Sequence, residues 1–131
     1  MILVETSAWI EFDRATGSAV DLALTQLITD GTDIAVTEPI LMEVLAGAAS
    51  PDNRARLRRL LTSFSWTPLD SVADFEAAAE IYRDCRSQGV TPRGLIDCMI
   101  VAVALRTNAS VLTADMDFAQ IATVVPLSVV R

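Results

Sequence analysis

The chain has 131 residues, 52 % of them hydrophobic, and a formal net charge of −7, one domain's worth of sequence with enough apolar material to bury a substantial core. It contains no histidine, which excludes Ser-His-Asp and Cys-His nucleophilic systems, HExxH zinc sites and histidine-based proton transfer together. It contains no lysine either, all ten cations being arginine, and that disfavours a Walker P-loop, a Schiff-base enzyme and a phospho-receiver domain.

In chain order, Met1 to Ile10 reads as a short, fully buried strand with Glu5 inside it. Ser18 is an N-cap for a helix carrying Val20, Leu24, Leu27 and Ile28, which stops near Asp30-Gly31. Ile34 to Thr37 is a second buried strand, and Pro39 pre-sets the first turn of a helix reaching Gly47. Asp52 to Phe64 is an amphipathic helix, with Leu57, Leu60, Leu61 and Phe64 on one face and Arg54, Arg56, Arg58 and Arg59 elsewhere. A short strand falls within Phe64 to Leu69. Ser71 to Asp74 then resembles a capping box, opening a helix that ends at Gly89. A strongly apolar helix is predicted from Arg93 to Thr107, a buried strand from Ser110 to Thr113, a short helix from Asp115 to Ala122 and a last strand from Val124 to Val130. Apolar strands alternating with helices predict a single α/β domain, residues 1–131, with a mainly parallel sheet covered on both faces.

The start of the chain has no basic segment or cleavage site, and the longest nearly uncharged run, Leu95 to Leu105, is too short to span a bilayer, so a cytoplasmic, membrane-free protein is expected. Cys85 and Cys98 form no CxxC pair and are expected to be free thiols. The positive mean hydropathy leaves apolar surface for a partner.

The informative pattern is a lone carboxylate inside, or at the edge of, an apolar element. It occurs four times: Glu5 in ILVETSAWI, Glu43 in ILMEVL, Asp97 in LIDCMI and Asp115 after VLTA. An ionised carboxylate in such company costs several kcal/mol unless a cation or hydrogen-bond donors compensate it. Glu5 and Asp115 fall at the C-terminal ends of predicted parallel strands, where open α/β sheets place their ligands, and Glu43 and Asp97 lie on helices able to lean over that edge. Oxygen ligands without histidine or cysteine suit a hard cation, Mg²⁺ or Mn²⁺. Taken singly, Asp97 also reads as a helix first-turn acid and Asp115 as an N-cap. Arg93, one turn before Asp97, suits a phosphate contact and equally suits pairing with a site carboxylate. The arginines of residues 54–59 read either as a solvated helix face or as a grip on a nucleic-acid backbone.

These segments, with EPILMEVLAG at 38–47 and LTADMDF at 112–118, resemble PIN-domain ribonucleases of the VapC toxin type over nearly the whole chain. The resemblance implies a three-layer α/β/α sandwich with a central sheet of 4–5 strands and endonucleolytic cleavage of structured RNA such as tRNA or ribosomal RNA. It also implies a VapB-type antitoxin that packs over the site, within a homodimer or higher toxin-antitoxin assembly. Carried over by position, the catalytic acids are Glu5, Glu43, Asp97 and Asp115, with Glu5, Asp97 and Asp115 holding Mg²⁺ or Mn²⁺; Ser7 supports the first acid and Asp117 is a nearby carboxylate. The family has aspartate where this chain has Glu5, whose extra methylene carries the carboxylate about 1.3 Å further from the backbone. That departure leaves three outcomes: a site that relaxes to accept glutamate, a weakened nuclease, which is the outcome expected here, or an inactive PIN-like module that only binds a partner protein. A phosphoryl-transfer domain using Asp97 or Asp115 is another reading, against which the missing lysine counts.

Overall fold

The protein's structure, a computed structural model describing residues 1–130, is a five-stranded sheet with helices on both faces. The strands are β1 (Ile2–Val4), β2 (Ile34–Val36), β3 (Ser65–Trp66), β4 (Ser110–Leu112) and β5 (Val129–Val130), and every pairing is parallel. The helices are α1 (Thr6–Asp13), α2 (Ala19–Thr29), α3 (Glu38–Ala46), α4 (Pro51–Thr62), α5 (Ala73–Ser87), α6 (Leu95–Thr107) and α7 (Met116–Ile121). Strand order is β3-β2-β1-β4-β5, so Leu3 of the central strand pairs with Ala35 on one side and Val111 on the other.

Right-handed crossovers place α1–α4 on one face and α5–α7 on the other. The packing agrees: α1 lies against α2 and α3, α3 against α4, and α5 along α6. α3 also touches α6, which elements on opposite faces of a sheet can do only past its edge. The core is aliphatic, with Leu3, Val4, Ala35, Val36, Val111 and Leu112 of the sheet fully buried. α6 has an apolar surface nearly all round and is buried to match, from Cys98 through Ile100–Ala104. Trp9 is buried against Phe12 and Phe64 and is no platform for bases. Cys85 and Cys98 are buried and free.

Three boundaries differ from expectation. The first strand ends at Val4, because the Glu5 carboxylate accepts hydrogen bonds from the Ser7 amide (3.0 Å) and hydroxyl (2.5 Å) and so caps a helix over Thr6–Asp13. An uninterrupted apolar run does not by itself distinguish strand from helix. The last strand is only Val129–Val130: the chain first turns through hydrogen bonds from the Val124 and Val125 amides to the Ile121 carbonyl, and Pro126 has no N–H to give a ladder. The capping box at 71–74 does not form. Val72 stands at the N-cap with φ +67°, an unfavourable conformation for a β-branched residue, and makes no side-chain cap bond. Asp74 instead accepts from the Asp70 amide (2.8 Å) and from Arg106. Among the described residues, no helix is long and apolar enough to cross a membrane.

Candidate active site

The chain leaves β1 for β2 on one side, while β4 enters later on the other, so the sheet has its topological switch between β1 and β4. Glu5 follows β1 directly and Asp115 lies three residues beyond β4. Between them opens a cleft of about 560 Å³ whose lining includes Glu5, Glu43, Asp97 and Asp115 together with Thr6, Ser7 and Arg93. The four acids singled out in the sequence, more than a hundred residues apart at their extremes, therefore share one cavity.

Asp97, Asp115 and Asp117 each offer a carboxylate oxygen, all within 4.8 Å of one another. Glu5 and Glu43 border this trio without belonging to it. Asp97 stands in the first turn of α6. Burial and then the negative charges of Asp115, Glu5, Glu43 and Asp117 push its carboxyl up to about 7. Asp115 is the N-cap of α7, as its single-residue reading anticipated, and its Oδ1 accepts from the Asp117 amide at 2.9 Å. An Asp117 carboxylate oxygen lies close to those of Asp97 and Asp115 beside the cleft. The functional and the capping readings of Asp115 are thus compatible, since a carboxylate has a second oxygen to offer.

Glu5 is 4 % exposed, and burial raises its carboxyl above the ordinary range against the pull of its hydrogen bonds. Its Oε2 collects three donors: the Ser7 amide, the Ser7 hydroxyl and the Thr113 hydroxyl at 2.7 Å. Thr113 in turn accepts from the Asp115 amide, and Ser7 Oγ accepts from the Ala114 amide, both at 2.9 Å. Ser7 therefore supports Glu5 as expected and also ties α1 to the β4–α7 loop. Glu43 is held by the Thr6 hydroxyl, which donates to its Oε1 at 2.6 Å.

Thr6 and Thr113 were missed in the sequence. Their signal is positional: each hydroxyl lies within two residues of an acid, inside an apolar stretch where a hydroxyl needs a partner. Arg93 closes the mouth of the cleft. Its Nη2 donates to Asp115 (2.6 Å) and its Nε to Asp117 (2.8 Å), while its side chain stays 72 % exposed. Of its two sequence readings, pairing with site carboxylates is the geometry present. These two carboxylates raise the guanidinium's pKa further.

The donor set, carboxylates without nitrogen or sulfur, fits a hard divalent cation. Charge points the same way: four acids line the cleft with Asp117 close to two of them, and one exposed arginine answers only Asp115 and Asp117, which leaves Asp97 short of positive charge.

A family model described as PIN domain matches residues 2–124. Two curated relatives, VapC ribonuclease Mb1587 of Mycobacterium bovis and ribonuclease VapC11 of Mycobacterium tuberculosis, are each 41 % identical over 128 residues, covering 97 % of this chain and 96 % of theirs. The chain belongs to the PIN-domain family, among its VapC members. Solved structures agree on the PIN fold. VapBC2 from Rickettsia felis bound to a promoter DNA fragment aligns with TM-score 0.75 at 18 % identity, over 99 % of this chain and 98 % of that one. VapBC from Salmonella typhimurium bound to DNA gives 0.76 at 16 %, over 98 % and 96 %. At such identities these neighbours speak for the PIN architecture alone.

Proposed function

We propose that this PIN-domain protein is a divalent-metal-dependent endoribonuclease, the toxin of a toxin-antitoxin pair that acts in the cytoplasm. The observation that carries the reading is the convergence of Asp97, Asp115 and Asp117 on one point of a cleft that Glu5 and Glu43 also line. Relatives of 41 % identity named as ribonucleases support RNA as the substrate, and neighbours solved as VapBC complexes, some on DNA, support a DNA-binding VapB-type antitoxin as partner. A homodimer within a larger toxin-antitoxin assembly, and structured RNA such as tRNA or ribosomal RNA as the target, belong to the same proposal.

Asp97, Asp115 and Glu5 would hold Mg²⁺ or Mn²⁺, with Asp117 alongside. Bound there, the ion would polarise the phosphodiester and ease deprotonation of the attacking water. The chain's own groups do the rest. Glu43, with one oxygen fixed by Thr6, has the other free to take a proton. Ser7 and Thr113 hold Glu5 and the Asp115 backbone in one frame, so that the acids keep their spacing as charge develops. Arg93, exposed and anchored only through ion pairs, exchanges a carboxylate for a phosphate oxygen when a strand enters.

Glu5 sets the level of activity. Its Oε2 is committed to three donors and it stands apart from the three-aspartate cluster, which supports an attenuated enzyme. The test is incubation of defined RNAs with Mg²⁺ or Mn²⁺. Expected are cleavage products ending in 5′-phosphate and 3′-hydroxyl, loss of cleavage in EDTA and loss in Asp97→Ala. Cleavage that persists in EDTA refutes the mechanism, and failure to bind Mn²⁺ favours the non-catalytic interaction module.

A further inference from the structure

The arginines of this acidic chain are not evenly spent. Arg56, Arg93 and Arg106 form ion pairs. Arg54, Arg58 and Arg59 of α4 are exposed and, among the described residues, have neither an ion pair nor a side-chain hydrogen bond, although acids outnumber arginines 17 to 10. Arg54 and Arg58 stand at i and i+4 on one helix face, a like-charge pair that works against the helix. The buried face of α4 needs only Leu57 and Leu61, so packing does not demand this concentration of charge.

The placement is equally specific. α4 is braced on both helices that carry site acids on their layer. It packs against α3, which holds Glu43, and Arg56 pairs with Asp13 at the far end of α1, the helix capped by Glu5. From Glu5 to Asp13 the helix rises about 12 Å. Arg54 lines a shallow pocket with Leu45 and Ala46, within a turn of Glu43 along α3. Arg54 thus lies beside the part of α3 that carries Glu43 and does not line the cleft itself. A cleft lined by four acids, with Asp117 close by, repels a polyanion, so the strand needs a cationic hold outside it.

We propose that Arg54 and Arg58, neighbours on one face of α4, form a binding surface for the sugar-phosphate backbone of RNA, outside the metal-binding acids. The proposal rests on the nuclease reading for its substrate. Phosphate contacts of this kind give sequence-independent, salt-dependent affinity.

The experiment is fluorescence anisotropy with a labelled single-stranded RNA oligonucleotide in EDTA, across a salt series, where no cleavage interferes. Arg54→Gln/Arg58→Gln is compared with the charge-matched Arg83→Gln/Arg86→Gln on α5 and with Asp97→Asn. Each phosphate contact contributes about 0.7 to the slope of log affinity against log salt on a single strand. The α4 pair is expected to reduce that slope by about 1.4, while the α5 pair and Asp97→Asn keep it. In Mn²⁺ cleavage assays the α4 pair raises KM and leaves kcat unchanged. Equal losses from the α4 and α5 pairs, or an unchanged slope in the α4 pair, overturn the surface; an unchanged slope with lost affinity for an acidic partner protein reassigns the face and overturns it too. If the wild type neither binds Mn²⁺ nor cleaves RNA, the nuclease reading fails, and the EDTA titration still decides the surface separately.

Discussion

Asp97→Asn is expected to stabilise the metal-free protein while abolishing its activity. An ordinary aspartyl side chain titrates near 3.8, whereas burial and the surrounding acids carry Asp97 to about 7. Between those values the folded protein holds a proton that the unfolded chain has released, so stability falls as pH rises through that window, and the full penalty is present above pH 7. Roughly three pH units at about 1.4 kcal/mol each set an upper limit of about 4 kcal/mol. Asp97 is partly exposed, and solvent screening brings this to about 2 kcal/mol. Asparagine keeps the shape and removes the charge, so thermal unfolding in EDTA at pH 8 should shift upward by roughly 5 °C. At pH 4 the gain should nearly vanish, because both proteins are then neutral at this position. Saturating Mn²⁺ should raise the wild type and not the variant. A lower midpoint for Asp97→Asn at pH 8, or the same gain at both pH values, would refute crowding of negative charge as the state of the empty cleft.

Glu5→Asp should raise the rate of RNA cleavage in saturating Mg²⁺, by up to about 10²-fold if the extra methylene misplaces the carboxylate by about 1 Å; an unchanged rate sinks the attenuation proposal. Thr113→Val removes the donor to Glu5 and the acceptor for the Asp115 amide, and should lower kcat while costing about 1–3 kcal/mol in urea unfolding. Arg106→Gln leaves Asp74, 2 % exposed, without its bidentate partner, and about 2–3 kcal/mol of stability should be lost at pH 7. Burial opposes ionisation of Asp74, yet Arg106 and the Asp70 amide hold its carboxyl below the usual range. That contribution is present above about pH 4 and is lost as pH falls through the lowered folded value, so the difference between the wild type and Arg106→Gln should shrink as pH falls below the ordinary aspartate range in acid unfolding followed by circular dichroism.

Most of the architecture was legible because each buried strand is a short apolar run closed by polar or turn residues, as at Ile34-Ala35-Val36 before Thr37. Helix ends were legible where a side chain caps them, as Ser18 does through the Asp21 amide. The lone carboxylates at 5, 43, 97 and 115 were visible because charge in an apolar run needs a reason, and the cleft brings all four together. What was hidden depends on tertiary partners. The local Glu5–Ser7 cap was masked by the apolar run around it, and the third donor to the Glu5 oxygen, Thr113, lies 108 residues away. Val72 takes a strained conformation while Asp74 is drawn to Arg106 on another helix. Asp117 read in the sequence only as a supporting, nearby carboxylate, and the fold is what brings one of its oxygens close to those of Asp97 and Asp115.

The central strand has a further consequence. β1 is flanked by β2, about thirty residues later, and by β4, more than a hundred residues later. Until β4 docks, Glu5 lacks Thr113 and the cleft lacks both Asp115 and Asp117, so a nascent or truncated chain ending before residue 117 carries no complete set of ligands. If the acids act as proposed, activity waits on the docking of β4 and α7 against the central strand.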